Sequence, residues 1–182
     1  ARRQLRRLAS AERIRAFLSQ LGSVAHSPAT AYLTGGSTAV LLGWRESTID
    51  IDLKLVPDSG ELLRALPALK EALEINVELA SPDLFIPVPP GWEDRCPWEA
   101  TEGRLTVRHF DLTAQAVAKL ERGHTRDVAD VDAMLARGLV SPAGLLAFLD
   151  AIEPELYRFP AVDPRTLRRA VEDAAGSPPP TA

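Results

Sequence analysis

Asp50 and Asp52 stand two residues apart in STIDIDLKL (residues 47–55). Side chains alternate along an extended strand, so the two carboxylates share a face, with Cα atoms about 6.6 Å apart. Ile49, Ile51 and Leu53 then line the other face, which reads as core. Carboxylates so placed repel each other unless a cation lies between them. A hard divalent ion suits the pair: Mg²⁺, or Mn²⁺ in its place, is held by one or two carboxylates together with substrate phosphates and water. A solvent-facing edge strand would show the same alternation, so D-x-D alone does not distinguish chemistry from surface. The segment just upstream does. In YLTGGSTAVLLGW (residues 32–44) a strand turns into a helix through Gly35, Gly36 and Ser37. Glycines let backbone N–H groups approach an anion, the helix start adds its positive end, and Ser37 brings a hydroxyl. A phosphate cradle one short helix away from a carboxylate pair describes a triphosphate–metal site.

A triphosphate calls for cations besides the metal. Lys119 lies inside an apolar run, LTAQAVAKL (residues 112–120), and lysine binds phosphate as a point charge. Arg122 is about one turn further and can share its face, and Arg126 begins the next helix. An exposed, salt-bridged helix would also carry these charges, pairing them with Glu121, Asp127 and Asp130. His26, His109 and His124 show no metal-ligand spacing and read as structural or surface residues. Trp92 and Trp98 lie in a proline-rich stretch, where a tryptophan either stacks on a base or plugs the loop onto the core.

The elements that must hold these residues are legible from periodicity. Ile14, Phe17, Leu18 and Leu21 mark a helix with Ser10 as N-cap. Strands are expected over TAYLT, over STIDIDLKLV ending at Pro57, over INVELA and over RLTVRHF, with a helix capped by Ser59 that Pro67 should kink or split. Residues 82–103 read as a long ordered loop with one short strand at LFIPV. Three helices separated by glycines follow, two of them N-capped by Thr125 and Ser141, and a fourth starts at Asp163 with Pro164 in its first position. The expected architecture is α/β in the α+β sense, a mixed sheet flanked by helices with a C-terminal helical half. The boundaries are 1–111 for the α/β core, 112–176 for the helical region and 177–182 for a disordered tail.

Composition limits the class. The 182 residues are 46% hydrophobic and 25% charged, as in a globular chain able to bury a core. A net charge of −4 argues against a non-specific nucleic-acid coat but leaves room for local basic surface, with Arg2, Arg3, Arg6 and Arg7 on the N-terminal arm as candidates. Cys96 is the only cysteine, so neither an internal disulfide nor a cysteine cluster for zinc can form. No apolar run suits a membrane span and none follows the basic start, so a cytoplasmic protein without a membrane partner is expected.

The segments LTGGSTAVLLG and STIDIDLKL together resemble the signature of the nucleotidyltransferase superfamily of the DNA polymerase β type, over roughly residues 30–80. The resemblance implies the corresponding fold and places the metal on Asp50 and Asp52, with Glu78 in INVELA as candidate third ligand. FDLTAQAVAKLERGHTRDVADVDAML (residues 110–135) is similar to a segment of minimal bacterial nucleotidyltransferases of the AbiEii toxin type. That likeness implies a site completed by Lys119 and by Asp127 or Asp130. The activity implied is transfer of a nucleoside monophosphate from an NTP to a hydroxyl of RNA, such as a tRNA 3′ end, by a toxin whose partner is a cognate antitoxin protein. Two alternatives stand beside it: a protein-modifying (AMPylating) nucleotidyltransferase of antitoxin type, and an inactive nucleotide-binding scaffold.

Overall fold

A computed structural model describes residues 7–176. Arg2, Arg3 and Arg6 and the tail from residue 177 lie outside the described residues. The described residues divide into two compact units, the first formed by residues 7–81 and Pro97–His109, the second by Pro82–Cys96 and residues 110–176.

The first unit contains β1 (Ala9–Ser10), α1 (Ala11–Ser23), β2 (Ala29–Thr34), α2 (Gly35–Leu41), β3 (Ser47–Thr48), β4 (Asp50–Val56), α3 (Gly60–Ala72), β5 (Asn76–Leu79), β6 (Trp98–Glu102) and β7 (Leu105–His109). Five strands form a mixed sheet in the order β5-β4-β2-β7-β6. β4 runs antiparallel to β2 and parallel to β5, while β7 is parallel to β2 and antiparallel to β6. Alternation then divides the sheet into two faces. Ala31, Leu33, Ile51, Leu53, Leu55, Val77, Leu105 and Val107 join Ile14, Phe17, Leu18 and Leu21 of α1 and Leu62 and Leu66 of α3 in one core. The opposite face carries Asp50, Asp52 and Lys54 of β4, beside Asn76, Glu78, Thr34 and Tyr32 of its neighbours.

Several local expectations are corrected. Ile49 is not a core residue: it falls between β3 and β4 and is exposed, because the strand is interrupted there. Pro67 does not split α3, which is continuous from Gly60 to Ala72; the missing N–H removes one ladder bond, and the buried Leu62 and Leu66 just before it hold the helix to the core. Ser59 occupies the N-cap position of α3, but its side chain makes no capping bond. The short strand is not at LFIPV but at β6, whereas Pro82–Leu84 and Trp92–Arg95 are 3-10 turns. With four prolines between residues 82 and 90, that stretch has too few backbone donors to join a ladder.

The second unit contains α4 (Leu112–Arg122), α5 (Thr125–Ala136), α6 (Pro142–Ile152) and α7 (Pro164–Gly176). α4 packs against each of the other three. Asp111 caps α4, its Oδ1 accepting from the N–H groups of Thr113 and Ala114, and Ser141 caps α6 through Gly144. The N-cap of α5 is His124, and Thr125 is its first helical residue. Trp92 stacks on Phe110 with ring centroids 4.4 Å apart, so it plugs the proline-rich segment onto its own unit. Among the described residues no helix is long and apolar enough to cross a membrane.

Candidate active site

The sequence candidates form two clusters, one in each unit. In the first unit, β2 ends at Thr34, directly opposite Asp52, and Gly35 begins α2 immediately after it. Gly35 has φ +60°, and a Cβ there would lie 2.7 Å from Asp52 Oδ2. A Cβ on Gly36 would come within 1.9 Å of Thr48 Oγ1. Both glycines are thus required by the close seating of the turn against the D-x-D strand and its lead-in, independently of any ligand. Thr48 Oγ1 in turn donates to the Asp50 carbonyl at 3.0 Å. The turn, Thr48, Asp50 and Asp52 are therefore one packed assembly.

Across the β4–β5 ladder, Asn76 faces Asp50 and Glu78 faces Asp52. Asn76 Nδ2 donates to Asp50 Oδ1 and also to Glu78 Oε1, the latter at 3.3 Å. Asp50 and Asp52 are half-buried and Glu78 is exposed. Parallel register places Glu78 on the carboxylate face, an arrangement that sequence left open. Among the described residues no group of three or more His, Cys, Asp or Glu side chains is arranged to hold a metal ion. The two aspartates still fit a hard divalent ion that draws its remaining ligands from phosphate and water. Ser37, one residue beyond the glycine pair, is fully enclosed and its Oγ meets no hydrogen-bond partner. An orphaned buried hydroxyl costs about 1–3 kcal/mol.

In the second unit, Lys119, Asp127 and Asp130 are all buried. Lys119 Nζ lies 2.6 Å from Asp130 Oδ2 and 3.7 Å from Asp127 Oδ1, and Arg122 donates to Asp127 Oδ1 at 2.7 Å. Lys119 and Arg122 thus each meet a carboxylate of the next helix. The apolar context of Lys119 is real, but its ammonium is held by the aspartates of the next helix. Arg126 is exposed at the start of α5.

His109 is structural, as its spacing suggests. Its Nδ1 is 3.1 Å from Thr38 Oγ1 and its Nε2 is 3.0 Å from Glu99 Oε2. Burial pushes the imidazole below its ordinary pKa, and the neighbouring carboxylate only partly opposes this. A neutral ring carries its N–H on Nε2, toward the Glu99 carboxylate, while Thr38 Oγ1 donates its one proton to the Leu33 carbonyl at 3.2 Å.

Sequence reasoning passed over Asn76 as a partner of Asp50 and Lys54 as the third member of the Asp50–Asp52 face. The D-x-D-x-K alternation held the signal for Lys54; Asn76 becomes visible only through strand register.

No curated protein and no solved structure matches the chain significantly. A family described as nucleotidyltransferase of unknown function (DUF6036) matches residues 12–154, a span that includes the glycine turn, both aspartates and the Lys119 cluster. The chain belongs to that nucleotidyltransferase family.

Proposed function

We propose that the protein transfers a nucleoside monophosphate from an NTP to a hydroxyl of RNA, with a tRNA 3′ end as the model acceptor, and that it acts as the toxin of a toxin–antitoxin pair. The observation that carries this reading is the seating of Gly35 on Asp52 with Asp50 on the same face. Asp50 and Asp52 would hold Mg²⁺ or Mn²⁺, and Glu78 stands on the same face as the third candidate. When bound, the ion would neutralise charge on the triphosphate and on the departing pyrophosphate. The backbone amides of Gly35 and Gly36 would donate to the phosphates. Asn76 fixes the Asp50 carboxylate by a hydrogen bond, so its orientation is set before substrate arrives. The reaction forms a bond from the acceptor oxygen to the α-phosphorus and breaks the bond from that phosphorus to the β-phosphate oxygen.

The test is incubation with each of four labelled NTPs and total cellular RNA and protein, with and without a chelator. One NTP should label RNA, and Asp50→Asn and Asp52→Asn should abolish labelling. Label on protein alone would replace the RNA acceptor by a protein side chain, and no label from any NTP would overturn the enzymatic reading. For the toxin role, expression should arrest growth and Asp52→Asn should relieve the arrest.

A further inference from the structure

Thr38, just past Gly35, Gly36 and Ser37 in α2, reaches back across the glycine turn, its Oγ1 donating to the Leu33 carbonyl at 3.2 Å. The bond closes a loop around Thr34, Gly35, Gly36 and Ser37. Leu33 stands beside His109 in the β2–β7 ladder, and the imidazole Nδ1 lies 3.1 Å from the same Thr38 oxygen. On the far side of the ring, Nε2 lies 3.0 Å from Glu99 Oε2 of β6, and Glu99 Oε1 is 3.9 Å from Arg15 of α1. Three contacts in series therefore join Glu99, His109, Thr38 and Leu33, and they end at the turn that seats on Asp52.

This chain is one proton short. Each contact needs a hydrogen between its two heavy atoms. The Thr38 hydroxyl supplies one, a neutral imidazole supplies one, and a carboxylate supplies none. With the ring N–H on Nε2 and the Thr38 proton on the Leu33 carbonyl, the gap falls between Nδ1 and Thr38 Oγ1, where lone pairs face each other. One further proton on the ring fills it: Nδ1–H donates to Thr38, Thr38 to Leu33, and Nε2–H to Glu99. Burial lowers the imidazole pKa and Glu99 partly opposes it, so the gap is open near neutral pH. Around the ring, β6 brings Glu99 and α1 brings Arg15 behind it, while α2 holds no charged residue and β2 presents Leu33. The His109 side chain is 1% exposed and that of Glu99 18%, so a proton reaches the ring from the carboxylate side.

Resting on the nucleotidyl-transfer reading above, we infer that His109 is a positioning residue for the phosphate-holding turn, and that the proton it takes up sets how tightly that turn holds the NTP. In the neutral state the Thr38 hydroxyl ties the turn to β2. In the protonated state the same oxygen is also held through the ring to β7 and β6. A turn fixed in place binds its substrate without having to be ordered first. The added positive charge acts on a polyanion in the same direction. Binding and proton uptake are reciprocal, so an NTP that prefers the fixed turn also raises the proton affinity of the ring.

The experiment uses the full chain with Mg²⁺ and each NTP, below the melting temperature of every variant. It reads the KM for NTP and for the acceptor from about pH 8 to about pH 5.5, across the ordinary imidazole value. Metal and triphosphate titrate alike in all variants, so the readout is the ratio of variant to wild type at each pH. Thr38→Val keeps the shape and removes the hydroxyl. His109→Gln sets its amide where Nε2 stands, within reach of Glu99 but not of Thr38, and takes up no proton. In both, the ratio of NTP KM to the wild-type value should rise by about two- to twelvefold on acidification, the equivalent of one net hydrogen bond. The acceptor KM should not follow, and Thr38→Ser, which restores the hydroxyl, should track wild type. Calorimetry of NTP binding in buffers of different ionisation heat should show more proton uptake by wild type than by His109→Gln. NTP KM ratios that do not change with pH, or an equal change in the acceptor KM, would overturn the positioning role and leave nucleotidyl transfer standing. A wild-type chain that neither binds nor turns over any NTP would overturn both.

Discussion

Replacing Lys119 separates stability from chemistry in the helical unit. Its side chain is 5% exposed, and those of Asp130 and Asp127 are 4% and 7% exposed. Lys119→Met removes the ammonium 2.6 Å from Asp130, whereas Asp127 keeps Arg122 at 2.7 Å. Removing one partner of a buried pair costs about 3–5 kcal/mol, because the remaining charge keeps its desolvation penalty. At about 2–4 °C per kcal/mol for a chain of this size, the melting temperature should fall by roughly 6–20 °C. Lys119→Met/Asp130→Leu removes both charges and should recover most of the loss, since an apolar pair of similar volume is often neutral or stabilising. Thermal unfolding of wild type, both single variants and the double variant completes a cycle. A Lys119→Met melt within about 2 °C of wild type, or a double variant no more stable than the singles, would refute the buried-pair reasoning. NTP incorporation by the double variant then tests the second role. A stable but inactive protein assigns Lys119 to the nucleotide's charge balance, and a stable active one makes the pair structural only.

Asp50→Asn and Asp52→Asn should each cut turnover by roughly 100-fold or more, the scale of several kcal/mol of lost metal assistance, with an unchanged melt because the core face is untouched; near-wild-type turnover in either would reject the metal assignment. Gly36→Ala should destabilise by more than about 1 kcal/mol, since the new methyl meets Thr48 Oγ1 at 1.9 Å and Cβ at 2.6 Å, and adding Thr48→Gly should return part of the loss. A Gly36→Ala chain as stable as wild type would show that β3 yields freely. Burial depresses the His109 pKa, so the unfolded chain binds its proton more readily. Its contribution is therefore intact above about pH 6.5, the unfolded value, and is lost as pH falls from there toward the folded value. Chemical denaturation across that range should show wild type losing stability on acidification more steeply than His109→Gln; equal slopes would count against the buried neutral imidazole.

Much of the fold follows from periodicity alone. The alternation of β4, the i, i+3, i+4 spacing of α1 and the caps at Ser10, Ser141 and Asp163 are local patterns, and local patterns survive reading without coordinates. The glycine turn and the two aspartates were likewise visible, because a two-residue period states which side chains share a face. Whatever depends on residues distant in sequence was not. That Asn76 holds Asp50 and that Glu78 faces Asp52 follow from the parallel register of β5 on β4, which no local pattern encodes. That Lys119 is neutralised by Asp130 follows from packing of one helix on the next. The bulge that turns Trp98 outward is decided by pairing, since sequence alternation alone sends it inward with Ala100. Sequence determined the kinds of groups and the faces they occupy; tertiary structure decided which groups meet, because strand register and helix contact join residues whose spacing along the chain carries no periodic trace.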